Sequence, residues 1–126
     1  MVNDPISDLL TRIRNGYLAK NQTVALPWSK LKENLAEILV KNGFLLEKEK
    51  NEQDLILKLK YNGGVPALKN IKRVSKPSLR IYAGKNKLPR VLWGMGIAVI
   101  STPQGLMTNR EAYKKSLGGE IICEIS

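Results

Sequence analysis

Midway along the chain the run from Tyr61 to Pro66, YNGGVP, places two glycines and a proline within six residues. Glycine frees the backbone and proline removes a donor, so this stretch is expected to stop any regular element and to mark a hinge. A chain of 126 residues broken there forms two small lobes, 1–65 and 66–126, each with a modest core. The charge divides at the same place. Residues 1–65 carry ten Lys and Arg against eight Asp and Glu, whereas residues 66–126 carry eleven against three. The net charge of +10 therefore resides mostly in the second lobe, and a polyanion is the first partner to consider.

Absences narrow the chemistry. There is no histidine, which excludes a Ser-His-Asp triad, a Cys-His pair and a His-ligated metal. Cys123 stands alone, so neither a disulfide nor a two-cysteine zinc site exists, and a small buried hydrophobe in a reducing compartment is its expected state. No catalytic residue, metal, cofactor or small-molecule substrate is assigned. No apolar run approaches the roughly 20 residues of a membrane span, and MVNDPISDLL carries acids where a signal peptide carries bases. The expected location is the cytoplasm or an organelle interior.

The first lobe reads as α-β-α-β-β. Asp4 before Pro5 starts a helix whose stripe of Ile6, Leu9, Leu10, Ile13 and Tyr17 runs to about Ala19. Thr23 to Leu26 is a strand, Ser29 caps a second helix ended by Gly43, and residues 44–50 and 54–60 form a hairpin. The second lobe reads as β-rich with one short helix. Residues 69–75 and 79–82 are strands with Ile71, Leu79 and Ile81 inward, and GIAVIS at 96–101 is a central buried strand. A turn at Pro103 to Gly105 follows. Thr108 and Glu111 then make a capping box for a helix ended by Gly118 and Gly119, and Glu120 to Ile125 is the last strand. The fold class is α+β in two lobes.

Several patterns invite sharper chemistry and lose to simpler explanations. GMGIAV at 94–99 lacks the third glycine of a dinucleotide site and leads into a strand. Glu47, Glu49, Glu52 and Asp54 alternate with Lys48 and Lys50 as a solvated hairpin face, and Asp4 and Asp8 suit a helix N-terminus. Met95, Met107 and Leu88 are expected in the core, while Trp28 and Trp93 could each serve as core or contact. The basic run of Lys69, Lys72, Arg73, Lys76, Arg80, Lys85, Lys87 and Arg90, with Tyr82 and Trp93 nearby, is more telling. Like charge at that density neutralises phosphates, and an exposed ring offers a base a stacking face. In IAVISTPQGLMTNREA at 97–112, Ser101, Thr102, Gln104, Thr108, Asn109 and Arg110 form a polar knuckle able to bond bases or ribose.

STPQGLMTNREA followed by LGGEIIC, together with NDPISDLLTRIRNG and RVSKPSLRIYAGKNKLPRVLWGMGIAVIS, resembles the bacterial-type family of the eighth protein of the small ribosomal subunit over nearly the whole chain. The resemblance implies a non-enzymatic protein that binds the central domain of small-subunit rRNA early in assembly, beside neighbouring small-subunit proteins. In some bacteria such proteins also bind a look-alike site on their operon mRNA and repress its translation. Carried across, it makes Ser101 and Thr102 the main base-reading contacts. Tyr82 and Gly118, Gly119 and Glu120 line the same face, and Arg110 and Lys32 are phosphate partners. The chain departs from the family pattern at Pro103, where a second serine is usual, and at Glu124, where an aromatic residue is usual.

Two other classes share the charge. A duplex-DNA regulator would need a recognition helix after a helix and tight turn, which the sequence lacks. An RNA-cleaving or RNA-modifying enzyme would rest on Lys, Tyr or carboxylates alone.

Overall fold

The computed structural model describes residues 4–91 and 95–126, so Trp93 and Gly94 lie outside the described residues. The chain divides into two compact units, Met1–Leu68 and Lys69–Ser126. Both follow from the local signals, with informative exceptions.

In the first unit, Asp4 caps α1 (Pro5–Leu18), its carboxylate accepting from the Ser7 amide at 3.2 Å. The apolar stripe of α1 is buried from Ile6 to Tyr17. β1 (Thr23–Pro27) leads to Ser29, which caps α2 (Lys30–Lys41). Gly43, at φ +82, lets the chain leave the helix. β2 (Leu45–Asn51) and β3 (Asp54–Leu59) pair as a hairpin, and β1 joins the free side of β3, giving the antiparallel order β1-β3-β2. Leu26, Leu35, Leu39, Leu55 and Leu57 are almost wholly buried where the helices cover the sheet. The Tyr17 hydroxyl ties the layers, donating to the Phe44 carbonyl at 2.8 Å and accepting from the Lys60 amide at 3.1 Å.

The YNGGVP run does not stop regular structure. β4 (Tyr61–Asn62) and β5 (Val65–Pro66) pair across it. Gly63 and Gly64 both take positive φ, +59 and +82, as a hairpin turn with two left-handed central residues demands. The glycines build a tight turn, and the units part at Leu68.

Among the described residues no helix is long and apolar enough to cross a membrane. The second unit contains β6 (Ile71–Arg73), β7 (Tyr82–Ala83), β8 (Ile97–Thr102), β9 (Gly105–Thr108), α3 (Asn109–Lys114) and β10 (Gly119–Ile125). The antiparallel sheet runs β6-β10-β8-β9, with β7 pairing the opposite end of β10 from β6. Ala98, Ile100, Met107 and Ile121 on one face meet Ala112 of α3 and Val91, with Val74, Ala83, Leu88 and Leu117 packed around them. Cys123 is buried, and burial pushes its thiol up to about 12, so it stays neutral at physiological pH.

Four expectations for this unit fail for physical reasons. Leu79 and Ile81 are exposed because backbone bonds, not apolar packing, hold their segment: Lys76 and Leu79 bridge, and the buried Ser75 hydroxyl bonds both polar groups of the Ile81 backbone. Met95 is also exposed, in the turn before β8. Residues 105–108 form a strand not foreseen between turn and helix. Finally, α3 is closed by Ser116 at φ +56, not by Gly118 and Gly119, which have another use described below.

Asp8 does more in the first unit than complement the helix dipole. It bonds Arg12 Nε at 3.0 Å and Lys32 Nζ at 3.3 Å, while Arg12 also donates to the Ala25 carbonyl and Lys32 to the Pro27 carbonyl on the edge strand β1. The Arg12 hydrogen bond, followed by that of Lys32, holds the Asp8 carboxyl below its ordinary range, outweighing its partial burial. A depressed native pKa gives stability that is present above the unfolded value, about pH 4, and lost as pH falls through the native value. Asp8→Asn is therefore expected to lower the melting temperature at pH 7, with the gap to wild type closing as both are titrated toward pH 2. A gap of constant size across that range would contradict the assignment.

Candidate nucleic-acid interface

Strand register assembles the candidate site from distant segments. Ser101 of β8 stands opposite Glu120 of β10, and Glu120 stands opposite Tyr82 of β7. Directly opposed residues share a face, so the three form a row across the sheet, on the face away from Ile100 and Ile121. On the other side of Ser101 the row continues to Leu106 of β9. Leu106 was not anticipated, because only the length of the turn sets its register. The row is chemically mixed. Tyr82 is 68% exposed, Ser101 is half-buried, and the Glu120 carboxylate accepts from Arg80 Nη1 at 3.0 Å. A flat ring, a hydroxyl and an ion pair thus lie side by side.

The two glycines make this row possible. A Cβ at Gly119 would fall on the Ser101 carbonyl oxygen, and one at Gly118 would lie 2.5 Å from the Ala83 carbonyl oxygen. Neither conflict is with a side chain that could swing aside. The start of β10 passes so close to β7 and β8 that only glycine fits.

The turn beside the row is rigid. Pro103 and Gln104 form a two-residue loop between Thr102 and Gly105, with Gly105 at φ +110. The Thr102 hydroxyl donates to the Gly105 carbonyl at 2.9 Å and accepts from the Gln104 amide at 3.1 Å. Thr102 is buried, so its hydroxyl braces the turn, while Ser101 and the exposed Gln104 face outward from it.

The other sequence candidates separate. β9 runs away from the turn, pairing Met107 with Ile100 and Thr108 with Val99, so Thr108, Asn109 and Arg110 lie at the far end of the hairpin. The knuckle is therefore two places rather than one. Thr108 caps α3 by accepting from the Glu111 amide at 3.2 Å. Lys72 is exposed opposite Glu124, whereas Arg73 is half-buried opposite Cys123, its Nε donating to the Ser75 carbonyl. Lys32 belongs to the first unit, where its buried ammonium donates to the Asp8 carboxylate and the Pro27 carbonyl. Trp28 is also taken up there, its indole donating to Glu33 at 3.0 Å and Lys50 lying 4.1 Å above its ring. That indole bond, then Lys48, lowers the Glu33 carboxyl. Among the described residues no group of His, Cys, Asp or Glu could hold a metal ion.

Removing the Thr102 hydroxyl leaves two turn groups without their partner. Thr102→Ala is expected to cost about 1 to 3 kcal/mol in urea unfolding, and Thr102→Ser to restore most of it. Equal stability of wild type and Thr102→Ala would remove the bracing role.

The model of the family described as ribosomal protein S8 matches residues 4–126. The chain is 48% identical to the small ribosomal subunit protein uS8 of Synechococcus elongatus over 130 residues, covering 98% of each chain. It is 48% identical to uS8c of Chlorella vulgaris over 137 residues, covering 99% of each, and 46% identical to uS8 of Shewanella pealeana over 128 residues, covering 99% of this chain and 98% of that one.

Proposed function

The chain belongs to the ribosomal protein S8 family of structural, non-enzymatic proteins of the small ribosomal subunit, and we propose that it binds small-subunit rRNA directly, through its second unit. Its place is the ribosome, in a bacterial cytoplasm or an organelle, beside the rRNA and other subunit proteins. The row of Tyr82, Glu120 and Ser101, held by a backbone approach that only glycine allows, carries this reading.

A regular A-form helix hides its major-groove base edges in a deep, narrow groove and is recognised across its minor groove mostly by shape, so a small hydroxyl on a strand reads sequence best where the helix is irregular and widened. Ser101 supplies a donor and an acceptor there. Glu120, with Arg80 on one oxygen, keeps acceptor capacity for a base amino group or a ribose hydroxyl. The exposed ring of Tyr82 offers a stacking face, Gln104 an amide at the turn, and Arg73, opposite Cys123 and Val99 and so on the Ser101 side, a phosphate contact on β6, while Lys72, opposite Glu124 and Ala98, offers its charge at the edge of the other side. Thr102 acts through the turn, setting where Ser101 points. Pro103 gives up a hydroxyl but fixes the turn backbone, and Glu124 puts a charge beside Lys72 where an aromatic ring would stack. The same surface would take an operon mRNA that mimics the rRNA site, which is how repression of the operon would arise. Ribose contact also disfavours duplex DNA.

Ser101→Ala tests the reading hydroxyl. Affinity for an irregular hairpin from the central domain of small-subunit rRNA is expected to fall by about 1 to 3 kcal/mol, with the melting temperature and the salt dependence unchanged. Equal weakening on a regular duplex RNA, or no weakening on the hairpin, would refute it.

A further inference from the structure

The three-stranded sheet of the first unit, β1-β3-β2, has two free edges, and they differ in chemistry. β2 carries Glu47, Lys48, Glu49 and Lys50 in succession and a bulge between Leu45 and Glu47, both of which deter a further strand. β1, with Thr23, Val24, Ala25, Leu26 and Pro27, has no charge of its own. The Gln22 carbonyl accepts from the Leu59 amide and the Trp28 amide donates to the Gln53 carbonyl. Even-numbered residues of β1 therefore bond to β3, and odd-numbered ones turn their backbone groups outward. From Asn21 to Pro27, every outward carbonyl but that of Thr23 is met by a side chain. The Asn21 carbonyl accepts from the Tyr61 hydroxyl at 2.6 Å, and its amide donates to the Gly16 carbonyl at 2.9 Å. The Ala25 carbonyl accepts from Arg12 Nη1 at 3.0 Å and the Pro27 carbonyl from Lys32 Nζ at 3.1 Å, and Pro27 has no N–H to offer. The Asp8 carboxylate holds both cations in place, 3.0 Å from Arg12 Nε and 3.3 Å from Lys32 Nζ. Among the described residues nothing covers the N–H and C=O of Thr23 or the N–H of Ala25. A groove of about 430 Å³ between α1 and β1 opens at that point, its walls including Asn15, Asn21 and Thr23.

The geometry points to Arg12, Lys32 and Tyr61 as guards that keep the β1 edge from pairing with the same edge of a second copy of this chain. A second copy is the occupant the edge itself specifies, because an uncharged strand meets its own image without repulsion. A two-fold antiparallel pairing centred on Thr23 sets Thr23 against its own copy and Asn21 against Ala25. The central pair finds its backbone groups open. Each flanking pair needs the Ala25 carbonyl and both backbone groups of Asn21, which are already bonded within the chain. A second strand would have to displace the Arg12 guanidinium from the Ala25 carbonyl and shut its charge between two chains, which is costly. The guards thus leave one pair of bonds where a stable strand pairing needs several. Lys32 and Pro27 close the end of the edge in the same way, one by covering the carbonyl and the other by lacking the donor. This role is separate from RNA reading on the second unit, and it acts while the chain is free of the subunit.

The test removes the guards in the full chain. Arg12→Ala combined with Lys32→Met takes away both cations, while the methionine keeps the apolar stem of the buried lysine. Sedimentation velocity is expected to show a dimer whose dissociation constant lies about tenfold or more below any that wild type shows. Hydrogen exchange should find the Thr23 and Ala25 amides protected as that dimer forms. Adding Thr23→Pro should return association to the wild-type level, because the Thr23 amide makes no bond within the chain and proline removes only the donor that a second copy needs. Where the combined variant loses its fold, Arg12→Ala alone, at a side chain 45% exposed, should give the same dimer at higher concentration. Natively folded variants that associate no more than wild type would overturn the guard role, as would a dimer that Thr23→Pro leaves intact. Loss of the native circular dichroism signal in both variants would overturn it too, by making the cations part of the fold itself.

Discussion

The architecture of the second unit depends on a contact that leaves no room for a side chain. Where β10 begins, its backbone presses against the Ser101 carbonyl on one side and the Ala83 carbonyl on the other. That approach draws β7, β10 and β8 into one layer and fixes the register opposing Tyr82, Glu120 and Ser101. The candidate RNA surface is thus a consequence of backbone packing, with polar side chains laid on a framework set by Gly118 and Gly119. The apolar layer on the other face, centred on Ile100 and Ile121, keeps that framework from twisting away.

Hydroxyl and amide groups divide between those that build the unit and those left open to solvent. Thr102 braces the turn, Thr108 caps α3, Ser75 holds the Ile81 backbone, and Asn109 binds helix to loop. Each is buried with its hydrogen bonds made inside the protein, as burial of polar groups requires. Ser101 and Gln104 remain toward solvent. The distinction is energetic: a buried hydroxyl whose proton is already committed inside the protein can donate to a new partner only by giving up a native bond, whereas a solvent-facing Ser101 gives up only water.

Much of this was legible in the sequence. The caps at Asp4, Ser29 and Thr108, the apolar helix stripes and the alternating Leu55 and Leu57 placed the helices and the main hairpin, because each rests on interactions within a few residues. The uneven charge pointed to a polyanion, and the resemblance to a ribosomal family is matched by the family model over residues 4–126. The failures share a cause in long-range partners. The ion pair of Lys32 was not foreseen because Asp8 lies 24 positions away. Gly118 and Gly119 looked like a helix stop because glycine serves both that use and close strand approach. Leu79 and Ile81 alternated like an inward strand, but the Ser75 hydroxyl holds the Ile81 backbone and Lys76 that of Leu79. Arg110 was grouped with Ser101 because β9, only four residues long, was hidden between turn and helix.

Gly119→Ala tests most directly whether the glycine approach creates the RNA surface. The added methyl meets backbone on β8, so the strands must part by about an ångström or more. Binding of the folded variant to the irregular central-domain hairpin should be measured at a temperature where circular dichroism shows the native signal. The account predicts a loss of about tenfold or more, roughly 1.4 kcal/mol, because Ser101 and Glu120 no longer hold their spacing. A natively folded Gly119→Ala chain that binds the hairpin with wild-type affinity would contradict it.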